Sequence, residues 1–214
     1  MQIAVIGAGN VGGALGAGWA KAGHRITYGV PAPDNPKHQP VAKAAGDAVI
    51  TSVPAAINDA DVIVLATPWD AVPAALAACG DLSGRVLIDV TNPLQFGADG
   101  LELAIGFNTS GAEQVAALAK GAAVVKTMNQ VGFAVMAAAS NYVTPPVMFA
   151  ASNDAGAKAL ALKLVADLGF DARDAGPLKI ARLLESLATL WIDQVMVHGA
   201  PGTNAFAFLS RRQA

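Results

Sequence analysis

The chain has 214 residues, 54% hydrophobic and only 14% charged, against about 25% charged in an ordinary globular chain; that excludes intrinsic disorder. Lys and Arg total 14 against 16 Asp and Glu, a net charge of −2, so no general attraction to a phosphate backbone exists and no nucleic-acid partner is expected. The lone cysteine, Cys79, excludes an intramolecular disulfide and a cysteine-based zinc site.

The mean hydropathy is +0.45, which raises the question of a membrane. The longest apolar runs are of strand length, well short of the roughly 20 residues of a spanning helix. The N-terminus opens on a strand-like run with no basic stretch before it, so no signal peptide is expected. The expectation is a cytoplasmic protein without a membrane partner, its apolar residues buried in a large core or in subunit contacts.

Taken in chain order, strand and helix signals alternate. Residues 3–6 form a short, wholly apolar run of the kind buried on both faces of a parallel sheet. A glycine turn follows, then a helix over 14–22 ending at Gly23, and a second strand at 25–28. Pro31, Pro33, Pro36 and Pro40 make a stiff loop before a short helix near 41–45. Strands are predicted at 48–51, 62–66 and 86–90, with a helix at 71–78. A helix at 111–119 and strands at 124–127 and 147–151 come next. Ser152-Asn153-Asp154 caps a helix that Gly169 stops. A short edge strand is predicted at 171–173 and a helix with apolar spacing at 179–198. The pattern predicts an α/β fold, a doubly wound, mostly parallel sheet of Rossmann type. Residues 1–176 are assigned to a dinucleotide-binding unit. Residues 177–214 form a C-terminal helix and tail packed on it.

Gly7-Ala8-Gly9-Asn10-Val11-Gly12 is a G-x-G-x-x-G directly after a strand and before a helix, the context its mechanism requires. Gly7 allows the tight turn, Gly9 lets backbone approach a pyrophosphate, and Gly12 lets helix and strand pack closely. Asn10 and Val11 open the helix, whose N-terminus presents free N–H groups to phosphates.

The second strand ends in Tyr28-Gly29-Val30-Pro31. An Asp or Glu there would select NAD and an Arg would accommodate NADP; neither is present. Lys37 and His38 lie further along, and either fold back toward a 2′-phosphate or are ordinary solvated loop residues. Two more strand ends can line a cofactor: Ala66-Thr67-Pro68-Trp69 and Asp89 to Pro93. In these Thr67 and Asn92 are polar anchors and Pro68 or Trp69 is an apolar wall. Plain turn chemistry accounts for the same residue types.

These stretches resemble the family of NADPH-dependent oxidoreductases of the deazaflavin coenzyme F420, and are similar to the cytoplasmic reductase domain of the STEAP metalloreductases. The resemblance spans nearly the whole chain. It continues through Val124 to Asn129, and most specifically through Asp174-Ala175-Gly176-Pro177-Leu178 and Ala181-Arg182-Leu183-Leu184-Glu185. It implies direct hydride transfer between NADP(H) and a deazaflavin or flavin, with no acid–base residue and no metal. It places Asn129 and Val131 near the nicotinamide. Family members carry an Arg where this chain has Pro31, so NAD remains possible.

Among single residues, His24 is read as a turn residue, His198 as a dipole-suited cation in the last helical turn, and Cys79 as a buried hydrophobe. Arg182 and Glu185, three apart on the long helix, are read either as a surface pair or as a buried interdomain pair. The apolar tail at 206–209 is expected to pack on the body or across a homodimer interface. Two alternatives stay open: a dehydrogenase of a small organic substrate, which usually needs an added helical domain, and a nucleotide-binding module without turnover.

Overall fold

The computed structural model describes residues 1–98 and 100–211; the last three residues of the C-terminal unit lie outside them. The chain runs through β1 (Gln2–Ile6), α1 (Asn10–Lys21), β2 (Arg25–Gly29), α2 (Gln39–Ala44), β3 (Val49–Thr51), α3 (Val53–Ile57), β4 (Val62–Leu65), α4 (Val72–Cys79) and β5 (Val86–Asp89). A small hairpin of β6 (Leu94–Gly97) and β7 (Gly100–Leu103) follows. Then come α5 (Gly111–Leu118), β8 (Ala123–Lys126), α6 (Phe133–Met136), β9 (Val147–Ser152), α7 (Ala155–Asp167), β10 (Asp171–Gly176) and α8 (Ala181–Met196).

Eight strands form one sheet in the order β10-β9-β8-β5-β4-β1-β2-β3. Every neighbouring pair is parallel except β8 with β9. The order reverses between β1 and β4, and a doubly wound sheet opens its ligand crevice at that point. The central strands are apolar on both faces because both are covered: Ala4, Val5, Val62, Ile63, Val64 and Leu65 are fully buried. On one face Leu15 and Trp19 of α1, Val135 of α6, Leu164 of α7 and Trp191 of α8 form a core layer. On the other, Ile57 of α3, Leu76 of α4 and Val115 of α5 form the second. Cys79 belongs to this second layer, and burial pushes its thiol up to about 11, so it is protonated and inert near neutrality.

β9 overlaps β8 only at Ser152 opposite Val125 and Ala151 opposite Lys126. Beyond that the Gln130 side chain takes the place of a strand. Its Nε2 donates to the Phe149 carbonyl at 3.0 Å and its Oε1 accepts from the Phe149 N–H at 3.0 Å. One amide thus satisfies a backbone pair that the sheet edge would leave open.

Some boundaries differ from expectation. α1 starts at Asn10 rather than 14; Gly12 and Gly13, poor helix formers, lie inside its first turns, Gly12 because the close approach to β1 and its turn needs it there, Gly13 against Val41 of α2. The hairpin β6–β7 was not expected; β6 is mostly exposed and each strand is only four residues long, so the alternation of Leu94 with Phe96 and of Leu101 with Leu103 is brief. The last helix is split into a 3-10 turn at Leu178–Ile180 and α8, which ends before His198. β10 extends past 173 through a bulge between Asp174 and Gly176. The tail packs on the body. Phe206 O accepts from Val147 N at 2.9 Å, Asn204 O accepts from Trp191 Nε1 at 2.8 Å, and the Phe208 ring meets Phe149 edge-on at 6.0 Å.

Tyr28 of β2 is fully buried under α1, and its hydroxyl finds no partner. A Cβ added at Gly16 would lie 2.0 Å from that hydroxyl oxygen. Gly16→Ala is therefore expected to destabilise by about 1–3 kcal/mol through overpacking. Tyr28→Phe should be neutral or stabilising by about 1 kcal/mol, since it removes an unpaired buried group. Denaturant melts of the two single variants and the double variant check this: the double should recover much of the Gly16→Ala loss.

Candidate functional site

The site is built from the end of β1. Gly7 has φ +111°, and a Cβ there would sit 2.4 Å from the Ala66 carbonyl oxygen at the end of β4. A Cβ at Gly12 would be 2.1 Å from the Gly7 carbonyl oxygen. These two glycines are required by the protein's own backbone. Gly9 is different: its φ of −88° suits any residue, and a Cβ there meets nothing within 4 Å. No internal contact asks for glycine at 9; the space its missing side chain leaves lies in front of the N-terminus of α1. That N-terminus has no side-chain cap and no acid in its first turn, so its N–H groups and partial positive charge are free for an anion.

Two cavities flank this turn. One, about 430 Å³ and strongly apolar, lies beyond β1, β2 and β3, lined by Gly7, Gly29, Val30, Pro31, Ser52 and Thr67 with the alanines of α4. The other, about 300 Å³, is lined by Gly9, Asn10, Val11, Ala66, Thr67, Pro68, Trp69, Val90 and Asn92. Thr67 is common to both, and its hydroxyl is buried without a partner. A buried hydroxyl left unpaired between two cavities is available to an oxygen or nitrogen of a ligand.

Behind the second cavity the ends of β5 and β8 are locked together. Asn92 Nδ2 donates to the Asn129 carbonyl at 2.9 Å, Asn129 Nδ2 donates back to Asn92 Oδ1 at 3.0 Å, and Gln130 Nε2 donates to Asn129 Oδ1 at 3.1 Å. Between them Met128, fully buried, is held at φ +60°, a left-handed conformation that costs on the order of 1–3 kcal/mol and persists only when neighbours over-determine it.

One layer deeper, Lys126 is fully buried. Its ammonium donates to Asp89 Oδ2 at 3.0 Å and to the Thr91 carbonyl, and lies 3.3 Å from Glu185 Oε1. The second carboxylate is balanced by a helix end: Glu185 accepts from the N–H groups of Gly111 at 2.9 Å and Ala112 at 3.0 Å, the first residues of α5. Asp89 also accepts from Thr91 N and Oγ1. The network joins β5, β8, α5 and α8. It also reaches the cavity wall, because a Cβ at Gly111 would be 3.1 Å from Trp69 Cζ3 and 3.2 Å from Glu185 Oε1.

Residues 2–93 match the family described as NADP oxidoreductase, coenzyme F420-dependent. A candidate F420-dependent NADP reductase from Arthrobacter sp. FB24 superposes with a TM-score of 0.87 at 30% identity, covering 99% of this chain and 100% of that one. The chain belongs to the F420-dependent NADP oxidoreductase family. A hypothetical protein from Sinorhizobium meliloti superposes with a TM-score of 0.75 at 28% identity, over 85% of this chain and 88% of its own. A reductive aminase from Aspergillus terreus, in complex with NADPH4, cyclohexanone and allyl amine, shares the fold with a TM-score of 0.66 at 22% identity. It matches 92% of this chain, which spans 62% of the aminase's length.

For a member of this oxidoreductase family, the residues present fit a nicotinamide dinucleotide: an open glycine cradle, an uncapped helix end and an unpaired buried hydroxyl. Of the positions read from sequence, Gly7, Gly29 and Val30 line the first cavity, Thr67 both, and Gly9, Asn10, Val11, Ala66, Pro68, Trp69 and Asn92 the second. Gly12 is interior. Asn129 stands behind Asn92, and Val131 is in the core. Lys37 is exposed and lines neither cavity. His38 is not a solvated loop residue, being only 6% exposed, with Nδ1 unpaired. Arg182 and Glu185 do not pair: Arg182 makes a two-pronged bond to Glu113 at 2.8 and 2.7 Å, while Glu185 turns to Lys126. They lie three apart on α8, but Arg182 reaches Glu113 in the first turn of α5, and Glu185 reaches Lys126 of β8 and the first N–H groups of α5. His24 Nε2 bonds Asp167 at 3.0 Å, far along the chain on α7, and His198 Nε2 lies 3.2 Å from Asp193. Ser52 and Val53 were missed; the rule that ligands lie beyond carboxyl strand ends, applied to the third strand, points to them. Among the described residues no group of three or more His, Cys, Asp or Glu is placed to hold a metal. None of the helices there is long and apolar enough to cross a membrane.

Lys126→Met is expected to cost about 3–5 kcal/mol, because it strands two carboxylates in the interior; a urea melt measures it. Glu113 is held below the usual carboxylate range chiefly by its hydrogen bond from Arg182. Its contribution to stability is present above the unfolded carboxylate value of about 4.3 and is lost as pH falls through the lower folded value. The stability gap between wild type and Glu113→Gln should be full at neutral pH and close on acidification.

Proposed function

We propose that this protein transfers a hydride between NADP(H) and a deazaflavin or flavin coenzyme. The observation that carries the reading is Gly9: an open cradle before an uncapped helix, set at the switch point of the sheet, in a chain of this family. The apolar cavity at the β2 and β3 ends suits the adenosine half. The turn before α1 suits the pyrophosphate, and the cavity between Trp69 and Asn92 suits the nicotinamide. The bound coenzymes supply the chemistry, a hydride passing between nicotinamide C4 and the facing ring. This chain's residues hold and orient. Asn92, fixed by Asn129, offers a rigid polar edge; Pro68 and Trp69 form an apolar wall that excludes water. No side chain needs to move a proton.

Purified protein given NADPH or NADH should oxidise it in the presence of F420, FMN or FAD, read as loss of the reduced-nicotinamide absorbance. Tight NADPH binding with no acceptor turned over would sink the reading and leave a binding module. Gly9→Val should fold with an unchanged melting temperature, since its Cβ is free of contacts, and should lose nucleotide binding.

The same reading includes a homodimer. Leu183, Leu190 and Val197, seven residues apart on or just past α8, are 65%, 51% and 61% exposed, and Leu209 of the tail is 76% exposed. An apolar stripe of this kind marks an interaction surface. Light scattering should give about twice the 21.5 kDa chain mass.

A further inference from the structure

We infer that this chain recognises the adenosine ribose through a neutral subsite at Val30, Pro31 and Ser52, and so binds NAD(H) and NADP(H) with similar affinity. The inference rests on the dinucleotide reading of the cleft.

The device that selects a coenzyme sits where β2 ends. A carboxylate there binds the ribose 2′-hydroxyl and repels a phosphate; a guanidinium does the reverse. The cavity at that end contains no charged side chain among its lining residues. Its polar side chains are the hydroxyls of Ser52 and Thr67. Pro31 removes the cation and also a backbone donor, because proline has no N–H. Two backbone groups of the tip are already in use: Val30 N–H donates to Thr51 O at 3.0 Å, and Gly29 O accepts from Gly7 N at 3.0 Å. The tip is also close-packed. A Cβ at Gly29 would lie 2.9 Å from Ile6 Cδ1 and 3.0 Å from Ala56 Cβ, so no longer side chain can be accommodated at that position.

Ser52 is what remains. It precedes α3 but makes no capping bond, so its hydroxyl is free at the cavity rim. A hydroxyl both donates and accepts. It serves a ribose 2′-hydroxyl and a phosphate oxygen alike, and cannot tell them apart by charge. Lys37 does not supply the missing cation in the cavity. It is exposed in the Pro36–His38 turn, whose backbone is held by the Asn35 side chain. An ammonium free in water gains little from a phosphate it does not touch.

Titration calorimetry with NAD+ and NADP+ tests this without turnover. In wild type the two dissociation constants should agree within about tenfold. Ser52→Ala should weaken both by the same factor. Pro31→Arg, at an exposed position, should tighten NADP+ by about tenfold or more and leave NAD+ unchanged, by adding the charge-assisted phosphate contact. Lys37→Ala should change neither. A wild-type preference beyond tenfold in either direction overturns the inference. So does a Lys37→Ala loss confined to NADP+, a Ser52→Ala loss confined to one coenzyme, or a Pro31→Arg variant that melts like wild type and gains no NADP+ affinity. Binding of neither coenzyme by wild type overturns the dinucleotide reading itself; strong preference overturns this inference alone.

Discussion

The contact on which the candidate site depends is the crossing of two backbones at the switch point of the sheet. The carbonyl of Ala66, at the end of β4, occupies the volume that a Cβ on Gly7 would need, and the carbonyl of Gly7 occupies that of Gly12. Parallel strands β1 and β4 are in register from Ile3 opposite Val62, so their ends arrive together. With no side chain to separate them, the turn after β1 is pressed against the turn after β4. Both cavities follow from that approach, and so does Thr67, which sits between them with its hydroxyl unsatisfied. A single methyl group at Gly7 would push apart the two turns between which a ligand must lie.

The other half of the site depends on a buried charge arrangement. Two carboxylates face one ammonium in the interior, an excess of one negative charge that would be costly in a low dielectric. Glu185 is tolerable because it also receives two N–H groups from the start of α5. The helix end completes the balance that Lys126 alone does not. This explains why α8 packs where it does: its buried acid is tied at once to a helix N-terminus and to a strand end. The strained Met128 and the doubly bonded Asn92 and Asn129 sit just beyond this clamp. A rigid support beneath the candidate site suits the proposed hydride transfer, which relies on placement.

The alternation of apolar runs and glycine stops made the doubly wound sheet legible. The reason is physical: central strands of a two-sided sheet have no solvent face, so β1 and β4 read as unbroken apolar stretches. The glycine turn was legible because its spacing is itself the signal: Gly12 answers to the Gly7 carbonyl five residues back, and Gly7 to the Ala66 carbonyl at the end of the neighbouring strand. What was not legible depended on distant partners. Arg182 and Glu185 look like an ordinary helical pair, yet each bonds a residue brought in by α5 or β8. His38 looked solvated within a proline-rich loop, and is buried because the short α2 folds that loop inward. Ser52 carried no signal of its own type; only its place after a strand end marks it. The β6–β7 hairpin alternates Leu94 with Phe96 and Leu101 with Leu103, but each strand is only four residues long, the lower limit of length over which alternation reveals a strand.

The low charge of the chain takes a different meaning at the adenosine end than in the core. In the core it reflects strands covered on both faces. At the tip of β2 it leaves a cavity wall of glycine, valine, proline and alanine with a free serine hydroxyl at its rim, in the place where a nucleotide-binding fold usually declares its coenzyme by charge. On the proposed reading, binding there comes from apolar contact with the adenine ring and from the pyrophosphate at α1, both of which are common to NAD and NADP. Discrimination is a difference between two binding energies, and a wall that interacts with neither form by charge contributes almost equally to both. On the proposed reading, the same apolar economy that builds the sheet leaves no charge at this tip by which to choose between NAD and NADP.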